Sequence, residues 1–189
     1  YFSESGLTKN TSITFQQLIQ KTSIYTSVSR MDDNSMIPGA KLVRTNLMAK
    51  AVSKFGEGDR WSLDTKIQYT NAKANNRTIG GPNGSNPFYL LNLMPRSLDV
   101  TQFRNSVDAN GNMIWYGTGS GINPYWGYQY NLNEDERDRI MMNGSLKYEI
   151  ASWLTGQINA GADIDTNNPH ARTYSGTPLT GTGRYRLGK

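Results

Sequence analysis

The sequence has 189 residues and a formal net charge of +5, contains no cysteine, and is only 36% hydrophobic. This length suits one domain, no apolar run is long enough for a transmembrane helix, and the lack of cysteine excludes disulfides and thiolate chemistry. Lysines and arginines are scattered rather than clustered, which argues against nucleic acid as a partner.

Alternation of apolar and polar residues predicts six β-strands in chain order, because successive side chains of a strand point to opposite faces. The predicted strands lie near residues 11–17, 22–30, 42–54, 61–71, 137–150 and 153–165. Residues 31–40 and 56–60 are rich in Asp, Asn, Pro and Gly, which predicts connections there. The segment 72–136 lacks sustained alternation and contains one candidate helix, 87–103, interrupted by Pro95.

The clearest pattern is a predicted hairpin over residues 137–165, which turns at 151–152. On its first arm Met142, Leu146 and Tyr148 share one face, and Asn143 and Lys147 share the other. Each arm alternates over roughly ten residues, which is the length of a tilted strand that crosses a bilayer. Strands of soluble sheets are usually about five or six residues long. The hairpin therefore favours a membrane barrel.

The connections between the predicted strands alternate between short and long. Breaks near Gln20, at 56–60 and at 151–152 are tight, whereas 31–40 and 71–136 are longer. Short periplasmic turns opposite long extracellular loops are typical of outer-membrane barrels. The predicted fold class is therefore all-β, an antiparallel transmembrane β-barrel fragment with long extracellular loops.

Several short motifs, in consistent order over nearly the whole chain, resemble the barrel of SusC/RagA-type TonB-dependent outer-membrane transporters of Bacteroidetes. They are Tyr25-Thr26-Ser27, Arg44-Thr45-Asn46-Leu47, Met94-Pro95-Arg96, Asp108-Ala109-Asn110-Gly111, Asn123-Pro124-Tyr125-Trp126, Arg137-Asp138-Arg139, Leu146-Lys147-Tyr148 and Ser152-Trp153-Leu154.

The resemblance implies a 22-stranded barrel with an N-terminal plug, of which residues 1–189 form a partial barrel domain of about six early strands. Plug and remaining barrel are expected outside this sequence, because the chain begins and ends in mid-pattern. The family lies in the bacterial outer membrane, in contact with its lipid, and pairs with a SusD-like surface lipoprotein. It imports oligosaccharides or peptides, driven by the TonB complex through the plug. The resemblance implies binding and gating, with neither enzymatic chemistry nor a cofactor.

Aromatic residues are the candidate ligand contacts. The predicted extracellular loop contains such a cluster, and aromatic faces stack on sugar rings or peptide side chains. Its members are Trp115, Tyr116, Tyr125, Trp126, Tyr128 and Tyr130. Trp126 is the first candidate for substrate contact; the alternatives are packing within the loop and contact with the lipoprotein. Trp61 and Trp153 begin strands after tight turns, which favours a periplasmic interfacial girdle.

No catalytic or metal site is predicted. Residues 108–112 place oxygen ligands at alternate positions, but glycine and glutamate are misplaced for a calcium loop, which favours an Asn-Gly turn. The run 134–139 alternates charge, as expected at a strand mouth, with no apolar surroundings to raise a carboxyl pKa. His170, the single histidine, falls in the predicted last loop without a nucleophile motif.

Two other functions remain open at this stage. The first is a soluble β-sandwich carbohydrate-binding module that uses the Trp and Tyr loop, and the second is a small passive porin. A sandwich would pack its apolar faces on each other, whereas a barrel would turn them toward lipid. The plug, which would distinguish an active importer from a porin, is not in the sequence.

Overall fold

The computed structural model describes residues 5–117, 121–178 and 184–187. Their strands form one antiparallel sheet in which the strand order is the sequence order. Six strands are long, and a seventh is short. They are β1 (Leu7–Ile19), β2 (Thr22–Asn34), β3 (Lys41–Phe55), β4 (Trp61–Asn75), β5 (Leu132–Ala151), β6 (Leu154–Thr173) and β7 (Arg184–Leu187). The predicted antiparallel all-β fold with six long strands is confirmed, and β7 was not predicted.

The strand register gives the sheet one apolar face, because directly paired residues share a face. Trp61 pairs with Tyr148, and Ile67 lies between Ala49 and Met142. We call this surface the apolar face. Large hydrophobic side chains exposed on it include Ile13, Phe15, Val28, Leu47, Leu63, Ile67, Met142, Ile158 and Ile164. The opposite face is mainly polar, with Asn46, Lys50, Gln68, Asn143, Lys147, Gln157 and Asn159.

Hydrophobic residues cover only part of the apolar face. On β4 they run from Trp61 to Tyr69, and beyond that level the same face carries Asn71 and Lys73. On β5 the change comes between Ile140 and Asp138, which are level with Tyr69 and Asn71. The hydrophobic part is therefore a band near one end of the strands, and the strands continue past it with mostly polar residues on both faces.

The connections at the two ends of the sheet differ in size. Three short turns lie at the end of the sheet near the apolar band, at 20–21, 56–60 and 152–153. The second of them contains a 3₁₀ helix at Glu57–Asp59. Connections 35–40 and 76–131 and the segment 174–178 lie at the other end. We call the segment 76–131 the long loop. The predicted contrast in connection length rests mainly on the long loop, because 35–40 is only one residue longer than 56–60.

The strands extend beyond most of the predicted ends. The largest differences are at β5, which begins at 132 instead of 137, and at β6, which ends at 173 instead of 165. His170 consequently lies within β6 and not in a loop. Polar residues on both faces hide the alternation there, while backbone pairing continues through Asp32–Val43 and Glu136–Asn168.

The long loop contains two short α-helices, α1 (Pro87–Leu93) and α2 (Pro124–Tyr130), and a 3₁₀ helix at Val100–Phe103. The candidate helix 87–103, predicted to be interrupted by Pro95, is divided in the structure: α1 ends at Leu93, and Pro95 prevents its continuation. No helix among the described residues is long and apolar enough to span a membrane. Nearly all fully buried side chains lie in or against the long loop rather than in the sheet.

Candidate functional site

Both helices of the long loop start with the same local signal. Asn86 and Asn123 are N-cap residues whose side-chain oxygens accept hydrogen bonds from the backbone N–H groups of Phe88 (3.0 Å) and Tyr125 (2.9 Å). A proline follows each asparagine at the first helical position, where its missing N–H costs nothing. Local sequence therefore fixes where α1 and α2 begin.

Asn123 also ties distant parts of the long loop together. Its side chain is fully buried, and its Nδ2 donates to the carbonyl oxygens of Phe103 (2.9 Å) and Ile114 (2.8 Å). Buried amides require partners for their donors, and here both donors and the acceptor are satisfied. The loop is thus held by a specific polar centre as well as by apolar packing.

Trp126 is the centre of the loop interior. Its side chain is 0% exposed, and Nε1 donates to the Thr177 hydroxyl at 2.9 Å. Thr177 in turn donates to Oδ1 of Asn131 at 3.0 Å. The indole ring lies 4.4 Å from the ring of Tyr130 and 5.6 Å from that of Tyr174, centroid to centroid. The segment 174–178, which follows β6, is therefore packed onto the long loop.

Gly176 permits this close packing. A Cβ at Gly176 would lie 2.3 Å from the carbonyl oxygen of Gly111, and no real side chain approaches so closely. The absence of a side chain lets 174–178 lie directly against the 108–112 turn and beside the Trp126 ring. Long loop and segment 174–178 form one packed unit, which we call the loop unit.

The structure does not bring the aromatic cluster predicted for ligand contact onto one surface. Tyr125 and Trp126 are buried, which is the loop-packing alternative weighed for this cluster. Trp115 and Tyr116 are half-buried and pack with Phe103, with centroid distances of 4.9 Å for Phe103–Trp115 and 4.8 Å for Trp115–Tyr116. Tyr128 is half-buried on the far side of α2 and lines a cavity.

This cavity, of about 240 Å³, lies where the loop unit meets the strand ends. Sequence reasoning identified only Tyr128 among its residues, because the others come from five separate segments. Its walls are formed by Ile37, Pro38, Asn76, Arg77, Thr78, Ile79, Ser85, Pro87, Ile122, Asn123, Pro124, Gly127, Tyr128, Asn131, Asn133, Arg172 and Thr173. Among the described residues, no group of three or more His, Asp or Glu side chains is arranged to hold a metal ion.

The turn predicted at residues 108–112 is confirmed. Oδ1 of Asp108 accepts hydrogen bonds from the backbone N–H groups of Asn110 (2.9 Å) and Asn112 (2.7 Å). The Asn112 N–H is the main cause that lowers the pKa of Asp108 below its ordinary value, because it stabilises the charged form. The carboxylate thus closes the turn.

Four charges of the run 134–139 form ion pairs with neighbouring strands or with the start of the long loop. Asp135 pairs with Arg77, Glu136 with Lys73, Arg137 with Asp165, and Arg139 with Asp163. Exposed pairs of this kind contribute at most about 1 kcal/mol each. They align neighbouring strands, as expected of charges at a strand mouth.

Trp61 and Trp153 lie at the short-turn end of the sheet. The Trp61 ring stacks on Tyr148 at 4.3 Å and faces Phe55 at 6.2 Å, all three on the apolar face. Trp153, in the β5–β6 turn, is 82% exposed. Aromatics at one rim of an apolar band suit an interfacial girdle, which stays a prediction for these residues.

No family model and no curated protein sequence matches this chain. Solved structures of the RagAB peptide importer do match, over 95% of this chain. The RagAB peptide transporter structure gives a TM-score of 0.70 at 22% identity, the importer in its 'closed-closed' state 0.67 at 22%, and in its 'open-open' state 0.66 at 24%.

The chain spans 20% of the length of the matching chain in each of these three structures. The likeness therefore covers one portion of a much larger protein. At this identity the likeness concerns the fold. The chain has the fold of a segment of a SusC/RagA-type transporter barrel.

Proposed function

We propose that this chain is a wall segment of an outer-membrane TonB-dependent importer that works with a SusD-like surface lipoprotein. The observation that carries the proposal is the two-faced sheet. One face bears a continuous hydrophobic band that no second layer covers among the described residues, and the other face is mainly polar. Such a sheet separates lipid from a wet interior.

The dimensions of the band support this function. On β4 it extends from Trp61 to Tyr69, which is about 26 Å along a strand that rises 3.3 Å per residue. A strand tilted by 35–45° reduces this to a height of about 20 Å, near the apolar band of about 25 Å found on outer-membrane barrels. A water-soluble sandwich would have to cover this band, and the described residues provide no layer that does so.

The loop unit is the proposed place of substrate capture. It lies at the end of the sheet away from the apolar band, where it would face the outside and the lipoprotein. Half-buried Trp115 and Tyr116 offer ring surface there, whereas Trp126 acts inside the unit. Peptides are the first substrate class to test, because the matching structures are described as a peptide importer. Oligosaccharides are the second, and TonB would act through the plug.

Orientation of the two faces can be tested with single cysteines in a cysteine-free version of the full protein, in native outer membranes. Ile158 is 71% exposed on the apolar face, and its neighbour Gln157 is on the polar face. Cysteine at 158 should resist a water-soluble maleimide, and a fluorophore attached to it with a membrane-permeant maleimide should be quenched by spin-labelled lipid. Cysteine at 157 should show the reverse behaviour. Equal labelling of both from water would contradict the proposal.

Fractionation of the native source tests the assembly. The protein that carries this sequence should require detergent, have about five times the 21.1 kDa mass of this chain, and co-purify with a lipoprotein. A water-soluble protein of 21.1 kDa would instead support the carbohydrate-binding sandwich. A membrane protein without energised uptake would support a passive porin.

A further inference from the structure

The cavity beside α2 has the composition of a ligand site. Isoleucine and proline side chains from the 35–40 connection and the long loop form apolar walls, and asparagine, tyrosine and arginine groups converge on the same space. Ligand sites commonly combine apolar walls with a few placed polar groups. At about 240 Å³ the cavity is smaller than a typical drug-sized pocket of 300–1,000 Å³, so it suits an end group rather than a whole chain.

The walls of the cavity are fixed before any ligand arrives. Asn76 has φ +48°, and its Nδ2 donates to the Tyr128 carbonyl oxygen (3.3 Å) while its Oδ1 accepts from the Asn133 N–H (3.1 Å). The Asn76 N–H also donates to the Asn133 carbonyl oxygen at 2.6 Å. Asparagine adopts this left-handed conformation at little cost, and its three hydrogen bonds hold the end of β4 against α2 and the start of β5.

Gly39 closes the cavity on the side of the 35–40 connection. It has φ +74°, and a Cβ there would lie 3.0 Å from Nδ2 of Asn76 and 3.3 Å from Cβ of Tyr128. Both the backbone conformation and the close approach require glycine. The connection therefore packs tightly on the residues that pin α2, and a preformed pocket of this kind loses less entropy when a ligand binds.

The charge of the lining is one-sided. Arg77 and Arg172 line the cavity, and no lining residue is acidic. Arg77 pairs with Asp135, which lies outside the lining, through one guanidinium nitrogen at 2.9 Å. A guanidinium has five N–H donors, so one carboxylate partner does not exhaust it. The lining therefore favours an anionic group, and arginine matches the two oxygens of a carboxylate.

We propose that this cavity binds the free carboxylate at the C-terminus of a peptide substrate. The two arginines would hold the carboxylate, the side-chain amides of Asn131 and Asn133 would bond the last peptide group, and the isoleucine and proline walls would accept the terminal side chain. The inference rests on the proposed function, because it names one end of the substrate that the importer would capture. It predicts that the substrate must have a free C-terminal carboxylate, which aromatic contacts alone would not require.

The test uses the full transporter with its lipoprotein in detergent and a pool of randomised octapeptides, synthesised once with a free C-terminal carboxylate and once as the carboxamide. Retained peptide is measured by mass spectrometry. Charge-assisted hydrogen bonds contribute about 1.5–3 kcal/mol, so the amide pool should bind at least about tenfold more weakly. In Arg172→Gln this difference should shrink to less than about threefold. Arg96→Gln, an exposed loop arginine outside the lining, is the matched control and should keep it.

The outcomes separate the two proposals. Equal binding of both pools to the unaltered transporter would overturn the carboxylate site while leaving a peptide importer. An equal difference in Arg172→Gln and Arg96→Gln would place the carboxylate elsewhere and also overturn the inference. Binding of an acidic oligosaccharide but of neither peptide pool would overturn the peptide substrate itself.

Discussion

A charge placed on the apolar face should disrupt the protein far more than the same charge one residue away. Ile67 is 48% exposed on β4, between Ala49 and Met142. The band on β4 is centred near Thr65, two residues or about 7 Å along the strand from Ile67. With a strand tilt near 40°, Ile67 lies about 5 Å from the level of the band centre.

Arginine at the middle of a bilayer destabilises a barrel by about 2–4 kcal/mol, with less effect near the interfaces. We therefore expect Ile67→Arg to cost about 2 kcal/mol, which is roughly a 30-fold change in the folding equilibrium. The assay is the fraction of full-length protein assembled in the outer membrane, together with its unfolding temperature in lipid nanodiscs. Both should fall.

Gln68→Arg is the matched control. Gln68 follows Ile67 directly, pairs with Met48 and Met141, and lies on the polar face. An arginine in a wet interior keeps its hydration, so assembly should stay close to that of the unaltered protein. Equal damage by the two substitutions, or normal assembly of Ile67→Arg, would refute the assignment of the apolar face to lipid.

Three further predictions concern the loop unit and the 35–40 connection that packs beside it. Trp126→Ala should destabilise the unit by about 3–5 kcal/mol, because it removes a fully buried ring. Limited proteolysis should then cut within 76–131, whereas the control Trp153→Ala, at an exposed ring, should leave cleavage unchanged. Gly39→Ala should lower the unfolding temperature through about 1–2 kcal/mol of positive-φ strain, and an alanine at the exposed Gly80 is its control. The pKa of Asp108 is lowered, so its charged carboxylate stabilises the turn at any pH above the ordinary carboxyl pKa. This stabilisation is lost as the pH falls through the folded-state pKa. Pepsin should therefore spare the turn down to about pH 4 and cut it only in stronger acid.

The sequence was sufficient to predict the six long strands because period-two alternation is a local property. Where one face is hydrophobic and the other polar, as from Ile140 to Tyr148, the pattern and the register specify each other. The strand ends were misplaced for the same reason. Above the apolar band both faces are polar, so residues such as Asp32 and Glu136 resemble loop residues although their backbone groups continue the ladder.

The candidate site depends on contacts that no local pattern contains. The Asn123-Pro124 pair is a helix-start signal that could have revealed α2. The burial of Trp126, however, depends on Thr177, which is 51 residues away in the sequence. An aromatic residue in a polar loop looks equally suited to stack on a ligand or to fill a core, and only the packing of 174–178 decides between them.

The position of the apolar band also determines where a captured ligand would lie. On β5 and β6 the band ends at Ile140 and Ile164, yet these strands continue for eight and nine residues toward the loop unit. At 3.3 Å per residue this is about 26–30 Å of strand, which lifts the cavity well clear of the lipid at any tilt found in barrels. A ligand in the cavity would therefore be held outside the bilayer, within reach of a surface lipoprotein. It would still have to move along the polar face to cross the membrane, so in the proposed importer capture and passage are separate steps performed by different parts of the same sheet.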